Sequence, residues 1–167
     1  MQDTADSKPP VIGWREWASL PELDIPAIKV KVDTGAKTSA LHAFQLETWH
    51  ADDDQEYVRF WLHPLRRRDD IVICCEAPIL DRRVVKDSSG NAEERCVIQT
   101  PIRIGTHQWD IELTLTSRED MLFRMLLGRR AMVDSGFVVD PSASYLAGKK
   151  PRKAYPLRPR KKKETAQ

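Results

Sequence analysis

Apolar residues recur at every second position in one short run after another. Ile28, Val30 and Val32 alternate with lysines in IPAIKVKVDTGA, Val58, Phe60 and Leu62 share one face of EYVRFWLHPL, and Trp109, Ile111, Leu113 and Leu115 do so in HQWDIELTLT. A period of two puts every second side chain on one face of an extended chain, so each run reads as a half-buried strand. DDIVICCEAPIL and FVVDPSASYL add two more strand-like pieces. RRVVKDSSGNAEERCVIQTPIRIG reads as a hairpin, two extended segments flanking a Ser-Ser-Gly-Asn turn. MLFRMLLGRRAMVDSG carries the one helical signal, either along its length or as a strand followed by a helix starting near Arg129. A chain of 167 residues suits one domain. Strands punctuated by closely spaced turns therefore predict a mainly β fold, a small barrel or sandwich.

Charge divides this chain unevenly. The net charge is +2, but the stretch from Lys149 to Gln167 holds nine Lys or Arg and one Glu, which leaves the first 148 residues at −6. The polar start MQDTADSKPP and the basic, Pro-containing end are both read as disordered. The expected organisation is a disordered N-terminus at 1–10, one domain at 11–148 and a basic disordered tail at 149–167. No apolar run approaches the roughly 20 residues of a membrane span. No basic start followed by an apolar stretch suggests secretion, so cytoplasmic residence is the expectation. Adjacent Cys74 and Cys75, with Cys96, suit neither a disulfide framework nor a C-x-x-C zinc knuckle and read as small, reduced, apolar residues. Trp14, Trp17, Trp61 and Trp109 are expected as core or dimer-interface anchors. Trp49, next to His50 and the acidic run Asp52-Asp53-Asp54, is expected near the surface.

His42, His50, His63 and His107 form no compact ligand pair, and neither a phosphate-binding loop nor a G-x-S-x-G serine is present. No metal or cofactor is expected. Carboxylates remain, and Asp33 has a distinctive setting, since an alternating run delivers it into Thr34, Gly35 and Ala36. One reading is a loop at a strand end; the other is a carboxylate held for catalysis. Gly35 lacks the Cβ that would crowd a neighbouring chain and permits unusual dihedrals. Thr34 has a hydroxyl that can fix a loop, and Ala36 is small enough for close packing.

DTGA at 33–36 resembles the signature of the aspartic proteases, and its single occurrence resembles the homodimeric retropepsins. Met125-Leu126-Leu127-Gly128-Arg129 is similar to the apolar-apolar-Gly-Arg element of that class. With IGWREW (12–17), KVDTGAKTSALHA (31–43), RCVIQTPI (95–102), ELTLTSREDMLFRMLLGRRAM (112–132) and FVVDPSASYL (137–146), the resemblance extends over about residues 11–148 to bacterial retropepsin-like proteins of the RimB type. Those proteins are often labelled ATP-dependent zinc proteases and are linked to ATP-grasp glutamate ligases. The residues here fit an aspartic peptidase better than that label. The 95 residues from Asp33 to Gly128 exceed the retroviral spacing and call for an insertion.

The resemblance implies a closed β-barrel with one short helix near the C-terminal end, the Gly-Arg element beneath the catalytic loop, and a hairpin flap over the cleft. It implies catalysis by Asp33, Thr34 and Gly35 in a homodimer, with one Asp33 from each copy and Thr34 locking the two loops together. The hairpin at 83–98, tipped by Ser88-Ser89-Gly90-Asn91, reads either as that flap or as an ordinary surface hairpin. Ala36, Lys37, His42, Arg95 and Arg118 are the substrate-binding candidates. The basic ones suit the carboxylates of a glutamate-tailed peptide or protein, or serve as solvated charges or structural ion pairs. A globule at −6 opposes such a substrate unless basic groups concentrate at the cleft. The rival reading is a protease-like binding module that docks RNA, ribosome or a protein partner through the basic tail.

Overall fold

The computed structural model describes residues 8–86, 89–117 and 121–158. In chain order the strands are β1 (Val11–Gly13), β2 (Arg15–Leu20), β3 (Ile25–Asp33), β4 (Ser39–His42), β5 (Gln45–His50), β6 (Glu56–Leu62), β7 (Ile73–Pro78), β8 (Asp81–Lys86), β9 (Ala92–Ile104), β10 (His107–Thr116), β11 (Met125–Gly128) and β12 (Val138–Asp140). A 3-10 turn at Pro21–Leu23 joins β2 to β3, and one short helix, α1 (Arg129–Val133), follows β11 directly. The second of the two readings for that segment, strand and then helix, therefore holds. No helix among the described residues is long and apolar enough to cross a membrane.

Six strands close into a barrel in the order β10, β4, β11, β3, β2, β9, and β9 returns to pair with β10. Closure removes the unpaired edges that a flat sheet would leave. The inward set of β3, Ile28 and Val30, is fully buried, and it meets Leu20, Leu41, Ile98, Ile102, Leu113, Met125 and Leu127 in one core. The period-two runs and the barrel are thus one fact seen twice, since alternate residues fill the interior and the others face outward. β8 extends the wall beyond β9 as the expected hairpin, in register from Asp81 opposite Val97 to Lys86 opposite Ala92. Two of its tip residues, Asp87 and Ser88, lie outside the described residues.

β5, β6 and β7 form a separate three-stranded sheet outside the barrel. This sheet accounts for the length expected between Asp33 and Gly128. β1 and β12 pair in parallel and fasten the two ends of the domain together. Glu16 reinforces that clasp from inside: its buried carboxylate accepts the backbone N–H of Gly13 at 2.6 Å, Leu146 at 3.0 Å and Ala147 at 3.0 Å. A buried charge is tolerated where several N–H groups replace its water.

The basic segment does not leave the barrel at Lys149. The Tyr155 hydroxyl donates to the carbonyl of Ala27 at 2.5 Å and accepts its N–H at 3.3 Å, while Arg68 donates to the carbonyl of Pro156 at 2.9 Å. Residues 149–158 thus lie against the outer wall. The tryptophans are not core residues: Trp14, Trp17, Trp49, Trp61 and Trp109 are all half-buried. Trp109 reaches inward only far enough to donate to the carbonyl of Ala131 at 3.0 Å.

Candidate active site

Asp33 is the last residue of β3, and its position follows from the strand pairing. β11 lies parallel to β3, placing Met125 beside Val30, Leu127 beside Val32 and Gly128 beside Asp33. Each strand ends at the same level, so the loop after Asp33 meets the start of α1. The backbone N–H of Arg129 donates to the carbonyl of Ala36 at 2.7 Å, and that of Arg130 to the carbonyl of Lys37 at 3.2 Å. The Arg129 guanidinium donates to the carbonyl of Thr34 at 3.1 Å. The apolar-apolar-Gly-Arg element is bonded to the Asp-Thr-Gly-Ala loop at two points through Arg129, and Arg130 adds a third bond to the next residue, Lys37.

Gly128 makes this approach possible. A Cβ there would stand 2.6 Å from both the carbonyl carbon and the oxygen of Thr38, and backbone cannot rotate aside. Ser39 completes the seam from below. Its buried hydroxyl accepts the N–H of Gly128 at 2.9 Å, and its carbonyl accepts the Thr114 hydroxyl at 2.8 Å. β3, β4, β10 and β11 are thereby tied at one point under the loop.

Within the loop, one oxygen of Asp33, Oδ1, accepts the N–H of Gly35 at 3.1 Å and of Ala36 at 3.2 Å. These bonds fix the carboxylate by its own turn. Gly35 owes its place to this contact rather than to unusual dihedrals: it is absent from the residues with positive φ, and a Cβ would press on Asp33 Oδ1 at 3.3 Å. Thr34 and Gly35 are exposed, as is Arg129 beside them. The tip of the loop therefore presents an open face.

The outward residues of β3 continue from Asp33 back through Lys31 to Lys29. Lys31 borders a cavity of about 250 Å³ lined also by Ala40, Arg95, Thr116, Phe123 and Leu126. Arg95 is mostly buried and is bonded to Glu93 at 3.3 Å. The β8–β9 hairpin thus borders, through Arg95, the cavity that Lys31 also lines. Arg83 anchors that base across the barrel, donating to Asp81 at 2.9 Å and to Glu112 at 2.6 Å.

The substrate-binding candidates separate. Ala36 is half-buried at the seam, and Lys37 is exposed on the loop with its carbonyl engaged by Arg130. His42 is 3% exposed, embedded at the end of β4, where its backbone N–H donates to the carbonyl of Arg124. It lies inside the wall and offers no open surface to a ligand. Arg118 falls outside the described residues. Lys31 and Ser39 were not among the candidates. Their signal is positional: Lys31 is two residues before Asp33 on a strand, and Ser39 is the small polar residue that faces Gly128.

The sequence model of the family described as retropepsin-like aspartic endopeptidase RimB matches residues 11–150. A probable α-L-glutamate ligase of Desulfotalea psychrophila is 50% identical over 138 residues, covering 83% of this chain and 29% of that protein. One of Shewanella halifaxensis is 44% identical over 138 residues, covering 83% of this chain and 30% of that protein. This chain thus spans less than a third of the length of these relatives. Among solved structures, a Legionella pneumophila protein of unknown function matches with a TM-score of 0.70 at 26% identity, over 84% of this chain and 99% of that one.

Proposed function

The chain belongs to the RimB-like family of retropepsin-like aspartic endopeptidases, and from that premise we propose that it is an aspartic peptidase assembled from two copies. The observation that carries the reading is the seam between the Asp33 loop and the Gly-Arg element. A strand, Gly128 and the first turn of α1 hold one carboxylate at the base of an open loop. Two carboxylates brought within a few ångströms cannot both ionise cheaply, so such a pair holds one proton, as in the known aspartic proteases. A two-fold axis beside the exposed Thr34 and Gly35 supplies the second Asp33 from an identical loop.

In that arrangement the ionised member takes a proton from a water between the two carboxylates. The resulting hydroxide adds to the scissile carbonyl carbon while the protonated member donates to the carbonyl oxygen. Collapse of the tetrahedral species breaks the C–N bond, and the amine leaves with a proton returned by the pair. Thr34 and Gly35 shape the loop, and Arg129 braces it from below. The β8–β9 hairpin is the flap, with Arg95 at its base facing the substrate.

We assign glutamate-tailed peptides or proteins as the substrate class. The relatives that contain this domain as less than a third of their length bear the name of a glutamate ligase, which supports a functional partnership with a ligase of that kind. Mass-spectrometric detection of cleavage of glutamate-tailed and untailed peptides tests the reading, comparing wild type with Asp33→Asn and including a chelator arm. Cleavage that disappears in Asp33→Asn and survives the chelator is expected. Cleavage retained by Asp33→Asn, or abolished by the chelator alone, overturns it. If a binding module that docks RNA, ribosome or a protein partner through the basic tail is the true function, neither protein cleaves, and removing the tail from Lys149 onward abolishes binding that Asp33→Asn leaves unchanged.

A further inference from the structure

A second concavity, which shares Leu122 and Phe123 with the cavity that Lys31 borders, opens on the outer wall between β2, β3 and the loop at 64–68. Its volume is about 320 Å³, and its floor is aromatic, formed by Trp14, Trp17 and Phe123. Its rim is cationic: Arg15, Lys29, Arg66, Arg68, Arg124 and Lys150 all line it and no carboxylate does, although Arg68 is paired with Asp70 at 2.9 Å. The contrast with the rest of the surface is informative. Arg59, Arg82 and Arg83 each pair with a carboxylate within 4 Å, as Arg68 does at the rim itself, whereas among the described residues the other five rim cations pair with none. Arg124 is half-buried, and its Nε has no hydrogen-bond partner among the described residues. Five cations that no carboxylate pairs with therefore line one concavity of a domain that is acidic overall.

We propose that this groove docks an acidic peptide segment, the carboxylate-rich tail of the substrate, and leads it toward Asp33. Two further observations favour a peptide. Phe123 lines both the groove and the cavity bordered by Lys31, and Lys29, Lys31 and Asp33 project in sequence from the outer face of β3. Same-side residues of an extended chain recur every ~6.8 Å, the spacing an extended acidic peptide shares. In addition, the aromatic faces are already covered. The Arg15 guanidinium lies 4.7 Å from the Trp14 ring centre, and the ammonium groups of Lys29 and Lys150 lie 5.8 and 5.7 Å from that of Trp17. Cations seated on ring faces leave no platform for a stacked base and present their charge outward to carboxylates. Tyr155 holds the basic segment in place by gripping Ala27, two residues from Lys29.

The proposal rests on the peptidase reading only for the cleavage that comes after docking, so the test separates the two. The full chain carrying Asp33→Asn is titrated into a fluorescein-labelled oligo-glutamate peptide of about ten residues and, in parallel, into an oligouridylate of equal length, at two salt concentrations. The expected result is salt-sensitive binding of the peptide that Lys29→Gln/Lys150→Gln weakens about tenfold, a difference of ~1.4 kcal/mol. The charge-matched pair Arg59→Gln/Arg103→Gln should stay within about twofold. Equal weakening by both pairs, or no binding of the peptide, overturns the proposal. Tighter binding of the oligouridylate, lost with the groove pair, overturns it in favour of nucleic acid. Failure of the peptidase reading would leave these binding constants unchanged. Failure of docking would leave cleavage of a short untailed peptide unchanged.

Discussion

Replacing Gly128 with alanine adds one carbon to the tightest place in the domain. That carbon would stand 2.6 Å from the Thr38 carbonyl, about 0.8 Å inside an ordinary carbon contact of at least ~3.4 Å. The obstacle is backbone, so relief requires β11 and the loop after Asp33 to part. Overpacking of this kind costs about 1–3 kcal/mol. Parting also weakens the bonds that cross the seam: Gly128 N–H to Ser39 at 2.9 Å, Arg129 N–H to Ala36 at 2.7 Å and Arg130 N–H to Lys37 at 3.2 Å. At about 0.5–1.5 kcal/mol for each bond lost, the expected destabilisation is about 2.5–7.5 kcal/mol, the upper end applying if all three bonds break. For a chain of this size, that lowers Tm by roughly 5–30 °C. Thermal and urea unfolding followed by circular dichroism measure the effect, and peptide cleavage measured well below the new Tm reports on the loop. A Gly128→Ala protein destabilised by less than ~1 kcal/mol with cleavage intact would refute the claim that this seam positions Asp33.

Three smaller tests probe the surrounding structure. Ser39→Ala leaves the buried N–H of Gly128 without its acceptor and should cost about 1–3 kcal/mol in urea unfolding, with cleavage falling alongside. Burial pushes the Tyr155 hydroxyl up to about 12, so the folded state keeps a proton that the unfolded chain releases near its ordinary value of ~10. The stabilisation is full below that value and is lost as pH rises from ~10 through about 12. Tyr155→Phe should therefore flatten the alkaline limb of the stability–pH curve. Burial also pushes the Cys75 thiol up to about 12, while neighbouring Cys74 is exposed. Iodoacetamide at neutral pH should label Cys74 in the native protein and reach Cys75 and Cys96 only after unfolding, as read by peptide mass spectrometry.

Much of this architecture was written in local patterns, and the parts that were not share a cause. β3, β6 and β10 announce themselves because their inward residues are aliphatic or aromatic and their outward ones are mostly polar. β2 hides because its inward set includes Glu16, a charge whose partners, Leu146 and Ala147, arrive from the far end of the chain. β4 hides because all four residues are buried, which erases the alternation and carries His42 into the wall. Asp33 and Gly128 were legible as a pair from DTGA and LLGR, although the reason for Gly128 is a steric contact with Thr38 that only the fold creates. The basic groove was illegible for a related reason. Arg15, Lys29, Arg66, Arg124 and Lys150 are scattered over 136 positions of sequence, while composition sees only an acidic domain with a basic end. Under the docking proposal, the groove meets the objection that such a domain would repel glutamate, because its lining contains six cations and no carboxylate.

The central claim is that two copies of Asp33 act as one site, and a mixing experiment addresses it most directly. Wild-type and Asp33→Asn chains are combined at fixed total concentration, allowed to exchange subunits, and assayed for cleavage of a glutamate-tailed peptide. If both carboxylates are required in a two-fold dimer, activity follows the square of the wild-type fraction and falls to about a quarter in an equal mixture. A linear fall to about half in that mixture would mean that one chain suffices, and would contradict the account.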